Sequence, residues 1–126
     1  MIAALGALAE AATDTVASEV GQYRRPDARL ITTWERVPAG TDGGITIPGS
    51  IAGMAAGLAI AVVATAGGML PLSQLWIPVA AGFTGMLIDS VLGATLQRRG
   101  WINNQAVNFF ATLAAAALAY VISMFT

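Results

Sequence analysis

The chain has no cysteine, no histidine and no lysine. Without cysteine there is no disulfide and no thiolate nucleophile, and without histidine there is no imidazole base and no zinc site of the usual kind. The absence of lysine rules out a Walker-type phosphate loop, which needs a Gly-Lys-Ser/Thr sequence. Charge is scarce as well: six arginines and seven acids make up 10% of 126 residues, against roughly 25% in soluble domains. So few charges cannot solvate the surface of a domain this size, so much of the chain must face something other than water. The net charge of −1 provides no bulk attraction to nucleic acid. The remaining chemistry belongs to carboxylates, guanidinium groups, hydroxyls, amides and the backbone.

What the chain has in quantity is apolar sequence, 56% of its residues, together with 14 glycines. Its length suits one membrane domain spanning residues 1–126. Residues 2–21 read as a helix about long enough to cross a bilayer, yet they contain Glu10, Asp14 and Glu19. Glu10, Asp14 and Ser18 are spaced i, i+4, i+8 and share one face. Acids in such a helix are costly in lipid and turn toward a protein interior or a watery cavity, unless the helix lies at the interface. Met1–Ala9 lacks a basic start and does not read as a signal peptide.

A polar loop follows over 22–48, with Arg24, Arg25, Arg29 and Arg36, a Pro26-Asp27 turn and the glycine-rich run Gly40-Thr41-Asp42-Gly43-Gly44. Leu30–Trp34 is β-branched and aromatic enough for a short extended stretch. Pro48 suits the first turn of a helix. Residues 49–70 then form an uncharged apolar span, with Gly49, Gly53 and Gly57 at small-xxx-small spacing. The next span, 75–97, opens near Trp76 and contains Asp89, and 103–125 forms the last, with Asn103, Asn104 and Asn108 at its start. The expected fold class is all-α: a polytopic transmembrane helical bundle of about four helices, three clear spans plus an acidic N-terminal one.

All the arginines lie in two loops, 22–48 and 98–100, which alternating spans place on one side. The positive-inside rule makes that side cytoplasmic, and a prokaryotic plasma membrane is the expected location. Asp14, Glu19, Asp89 and the three asparagines then fall within roughly 15 Å of that face, at about 1.5 Å of rise per residue. Acids without histidine or cysteine suit a hard cation, and Mg2+ takes one or two carboxylates plus substrate phosphates. Asp14, Glu19 and Asp89 are therefore the candidate catalytic and metal-holding residues. Arg36, Gly40, Thr41, Gly43 and Gly44 are candidates for holding phosphate oxygens through backbone amides, a hydroxyl and a guanidinium. Ser18, Ser90, Asn103, Asn104 and Asn108 are the polar support. A glycine loop by itself is an ordinary turn; beside buried acids it points to phosphoryl or nucleotidyl transfer.

Four segments, ATDTVASEVG (12–21), LITTWERVPAGTDGGITIPGSIAG (30–53), LIDSVLGATLQ (87–97) and NNQAVNF (103–109), resemble the transmembrane protein 19-like family of integral membrane proteins. This family, also described as domain of unknown function 92, includes the plant phytyl-phosphate kinases. Its Asp-Thr-x-Ala-Ser-Glu pattern falls on Asp14, Thr15, Ala17, Ser18 and Glu19, and its Gly-Thr-x-Gly-Gly pattern on Gly40, Thr41, Gly43 and Gly44. Its Asp-Ser falls on Asp89 and Ser90, and its amides on Asn103, Asn104 and Asn108. Thr13 and Val16 depart from the residues common there, glycine and tryptophan. The resemblance implies phosphoryl transfer from a nucleoside triphosphate, CTP-like, to an isoprenoid monophosphate. It also implies further helices before the Asp-Thr motif, so the chain is expected to work within a larger fold or as a homo-oligomer. The expected partners are the lipid bilayer, the nucleotide and the isoprenoid phosphate. A transport pathway lined by the acids and a purely structural membrane subunit are the competing readings.

Overall fold

The computed structural model describes residues 1–23 and 27–126. Arg24, Arg25 and Pro26, which hold two of the expected cytoplasmic arginines and half of the expected turn, lie outside the described residues. The fold is the expected all-α bundle. The described residues form four α-helices, with a small sheet between the first and second. These are α1 (Ile2–Tyr23), α2 (Ile47–Ala66), α3 (Trp76–Leu92) and α4 (Asn104–Ser123). A short 3-10 turn, Leu72–Gln74, leads into α3, and a π-helical turn, Gly93–Gln97, prolongs it. Among the described residues, three helical stretches are long and apolar enough to cross a membrane: Ile47–Ala66, Leu72–Gln97 and Asn104–Ser123.

The acidic helix is the hub. α1 packs against α2, α3 and α4, while the three apolar helices surround it. The sequence left open whether α1 lies at the interface or inside. The interior arrangement follows from its composition, because alanine and glycine let three neighbours approach closely at once. A Cβ on Gly82 of α3 would stand 2.8 Å from the Ala9 carbonyl carbon, and one on Gly6 of α1 would stand 2.6 Å from the Ala119 Cβ. The α2 stripe Gly49, Gly53 and Gly57 is buried and lies on Ala17, Thr13 and Gly21 of α1. The core is rich in small residues: Ala9, Ala61, Ala64, Ala81, Ala111, Ala115 and Ala119 are buried, with Leu5, Leu70, Ile77, Met86 and Val107 among the bulkier members.

The outer faces of α2 and α4 carry exposed large apolar side chains, including Ile51, Leu58, Val63, Phe109 and Leu113. They are the faces a bilayer would contact. Trp76 stands exposed at one end of the bundle. Trp101, with the Arg99 guanidinium 5.4 Å over its ring, stands at the other, a placement suited to the two interfaces.

Several helix ends differ from expectation for local reasons. α2 starts at Ile47, because Thr46 accepts a hydrogen bond from the Gly49 amide at 3.1 Å and caps the helix. It stops at Ala66 rather than continuing to 70, since Gly67 and Gly68 follow and Gly68 takes φ +71°. The extended stretch expected at Leu30–Trp34 is instead Ala28–Leu30 (β1), with a turn after it. It is the middle strand of a sheet in the order β2-β1-β3, antiparallel to Arg36–Val37 (β2) and to Gly44–Ile45 (β3). The loop between α1 and α2 is thus a folded lobe and more than a connector.

Candidate functional site

At one end of the bundle, the C-terminal turns of α1 and α3 meet the N-terminal turns of α2 and α4. The glycine loop borders a half-open cavity of about 380 Å³ at this junction. Antiparallel packing of four consecutive helices causes the meeting: polar residues near alternate helix ends must share one side. Asp14, Ser18 and Glu19 line the cavity from α1; Asp89 and Ser90 from α3; Asn104 and Asn108 from α4; Gly40, Thr41, Gly43 and Gly44 from the loop. Residues far apart in the chain therefore reach a common space.

Two expected site residues are not among them. Arg36 sits on β2, the edge strand farthest from β3, where its exposed guanidinium is 3.3 Å from Asp27 Oδ2. It pairs with Arg29, the exposed residue of β1, and is not among the residues that line the cavity. Asn103 is occupied locally: its side chain accepts from the Ala106 amide at 2.9 Å and caps α4. Asn104, the first residue of the helix, and Asn108, one turn further on, line the cavity in its place.

The sequence reading missed other lining groups: Asp42, Thr15, Gln22, Thr46, Ser50 and Gln97. Asp42 is the most consequential, since it adds a fourth carboxylate to those of Asp14, Glu19 and Asp89. As part of an Asp-Gly-Gly turn it was read only as turn chemistry. Among the described residues the lining holds four acids and no arginine. No three of those acids are gathered tightly enough to form a ready-made metal cluster among the described residues.

The loop is built by its own hydrogen bonds. The Thr41 hydroxyl donates to the Pro38 carbonyl at 2.7 Å, the Thr41 amide donates to the same oxygen at 3.2 Å, and the Gly44 amide donates to the Thr41 carbonyl at 2.8 Å. Gly40 and Gly43 adopt φ of +86° and +75°, which glycine accepts without the penalty other residues incur. These bonds hold the turn rigid, and they also engage two of the donors expected to meet phosphate.

Asp89 has a designated partner. With the Asn108 amide nitrogen toward it, the orientation that satisfies both groups, Asn108 donates to Asp89 Oδ2 at 2.9 Å and to the Asn104 carbonyl at 3.3 Å. Glu10, one turn deeper than Asp14 and left out of the expected cluster, is 2% exposed. Thr112 of α4 donates to its Oε2 at 2.5 Å. α4 thus presents an amide and a hydroxyl at i and i+4, each meeting an acid on a different helix.

The model of the family described as integral membrane protein DUF92 matches residues 1–116. An uncharacterized membrane protein of Synechocystis is 41% identical over 120 residues, covering 92% of this chain and 46% of the relative. An uncharacterized membrane protein of Methanocaldococcus jannaschii is 37% identical over 125 residues, covering 97% and 51%. Protein VTE6, chloroplastic, of Arabidopsis thaliana is 33% identical over 99 residues, covering 76% and 30%. The chain spans about half the length of the first two. No solved structure matches.

Proposed function

The chain belongs to the integral membrane protein DUF92 family, and from that premise we propose that it supplies the site of a membrane-embedded phosphotransferase. The reaction moves a phosphoryl group from a nucleoside triphosphate, CTP in the first instance, to an isoprenoid monophosphate at the cytoplasmic face. An oxygen of the acceptor phosphate attacks the γ-phosphorus, the bond from that phosphorus to the β,γ-bridging oxygen breaks, and the nucleoside diphosphate leaves with the electron pair. Such chemistry asks the protein for positioning and charge neutralisation rather than for a nucleophile of its own. That suits a site without cysteine or histidine.

The observation that carries this reading is the convergence of Asp14, Asp89, Asn104, Asn108 and the glycine loop on one polar cavity. The cavity opens at an end of the bundle, beside apolar outer faces along which an isoprenoid tail can lie. The family resemblance to phytyl-phosphate kinases supplies the reaction class. The four lining carboxylates fit a hard divalent ion of the magnesium type, which needs one or two of them and completes its shell with water and phosphate oxygens. Asp14 and Asp89 would hold it, and it would neutralise charge on the transferring phosphates. Asn108 keeps the Asp89 carboxylate oriented, and Gly40–Gly44 forms the lip against the phosphates.

The test is purified chain in nanodiscs with labelled CTP or ATP and phytyl or farnesyl phosphate. Transfer is expected, with loss on chelation, recovery with Mg2+ and loss in Asp89→Asn. An Asp89→Asn variant as active as the wild type would remove the site from consideration. Transfer of nothing by the wild type, both alone and extended with the helices expected before the Asp-Thr motif, would remove the function.

A further inference from the structure

The glycine loop does not merely overhang the cavity; it is seated on α3. A Cβ at Gly93 would stand 2.9 Å from the Gly43 amide nitrogen and 3.5 Å from the Asp42 carbonyl carbon. Conversely, a Cβ at Gly43 would stand 2.5 Å from the Ala94 amide nitrogen and 2.6 Å from its Cα. Backbone lies directly on backbone, and neither partner has room for a side chain.

The seat lies where α3 changes character. The Gly93 amide still donates to the Asp89 and Ser90 carbonyls, while its own carbonyl accepts from the Arg98 amide at 3.2 Å, an i→i+5 bond. Eight residues of ideal α-helix would rotate Gln97 about 80° off the face of Asp89, at 3.6 residues per turn. The wider π turn recovers most of that rotation, and Asp89, Gly93 and Gln97 all line the cavity. π turns of this kind occur frequently at functional sites. Here the turn keeps α3 facing the cavity long enough to meet the loop.

We propose that Gly93 is a positioning residue for the phosphoryl transfer, seating the Asp42–Gly43 turn one helical turn from Asp89 and so fixing the loop that meets the donor's phosphates. This rests on the function proposed above. Gly93 touches neither donor nor acceptor in this scheme; it acts through the loop. The seat couples two parts of the site that lie far apart in the chain, so Asp42 and Asp89 hold one mutual placement.

The test compares Gly93→Ala with Gly82→Ala. Both force a Cβ into tight packing on α3, but Gly82 contacts Ala9 and lies away from the loop. Because the chain has no cysteine, a nitroxide on Ala39→Cys reports loop motion without background labelling. Gly93→Ala is expected to free the label and to raise the KM for MgCTP about ten- to a hundredfold, the range for a misplaced positioning group. The KM for phytyl phosphate should stay near the wild-type value. Gly82→Ala should lower the folded fraction and leave both the label spectrum and the donor KM of the folded enzyme unchanged. An immobile label in Gly93→Ala, equal changes in both KM values, or the same pattern in Gly82→Ala would overturn the proposal. Absence of transfer by the wild type, alone and with the expected preceding helices, sinks the functional reading, while the label spectra still decide whether Gly93 seats the loop.

Discussion

Gly53→Ala is the most informative single perturbation of the scaffold, because two general rules give it opposite signs. In an exposed helix, glycine to alanine gains up to about 1 kcal/mol from backbone entropy. At Gly53 the new methyl would stand 2.6 Å from the Thr13 carbonyl oxygen, 2.9 Å from the Ala17 Cβ and 3.2 Å from the Thr13 Cγ2. Carbon contacts are comfortable at about 3.5–4.0 Å, so α1 and α2 must separate by roughly 0.5–1 Å along this stripe. Overpacking of that kind costs about 1–3 kcal/mol. The net expectation is a loss of about 1–2 kcal/mol, a five- to thirtyfold fall in the folded-to-unfolded ratio. Reversible unfolding by SDS titration in mixed micelles, followed by far-UV circular dichroism, measures it. Ile51→Ala, on the exposed face of the same helix, serves as the reference. Since Asp14 follows Thr13 directly, the separation should also lower transfer activity at full folding. A Gly53→Ala protein as stable as the wild type, or more so, would refute the claim that close α1–α2 contact holds the acidic helix in the centre.

Three further outcomes are expected. Asn108→Leu, which keeps the shape and removes the donor to Asp89, should cost about 1 kcal/mol and reduce transfer, whereas Asn108→Gln should retain part of it; steady-state kinetics with MgCTP distinguish the two. Thr112→Val leaves the buried Glu10 carboxyl without its hydroxyl partner and should cost about 1–3 kcal/mol in the SDS titration, with Thr112→Ser close to the wild type. Thr46→Ala removes the cap of α2 and should cost about 1 kcal/mol. Thr46→Ser should restore it in the same assay.

Much of this protein can be read along the chain. Apolar runs broken by Gly67-Gly68, Pro71 and Arg98-Arg99-Gly100 give the three membrane-length helices, because lipid demands uninterrupted apolar helix and tolerates charge only at its ends. Arginine placement puts the loops on one side. Acids and amides near alternate helix ends then lie on that side whatever the packing details. The lining residues Asp14, Glu19, Asp89, Asn104 and Asn108 were legible for that reason. Arg36 and Asn103, whose chemistry suits a phosphate, do not line the cavity, because an ion pair on an edge strand and a helix cap claim their side chains first. Residue type says what a group can do, and only its neighbours say whether it is free to do it.

The sequence by itself determined the solvent, the helices and the side on which polar groups collect, since these follow from local hydrophobicity and its interruptions. The tertiary structure alone decided that the most polar helix occupies the centre, through glycine and alanine contacts too weakly patterned to pair from sequence. It also decided that Glu10 meets Thr112, that Asp42 joins the lining, and that the glycine loop rests on Gly93. Each of these depends on contacts between residues distant in the chain, where a few tenths of an ångström of backbone approach determine which side chains can face each other.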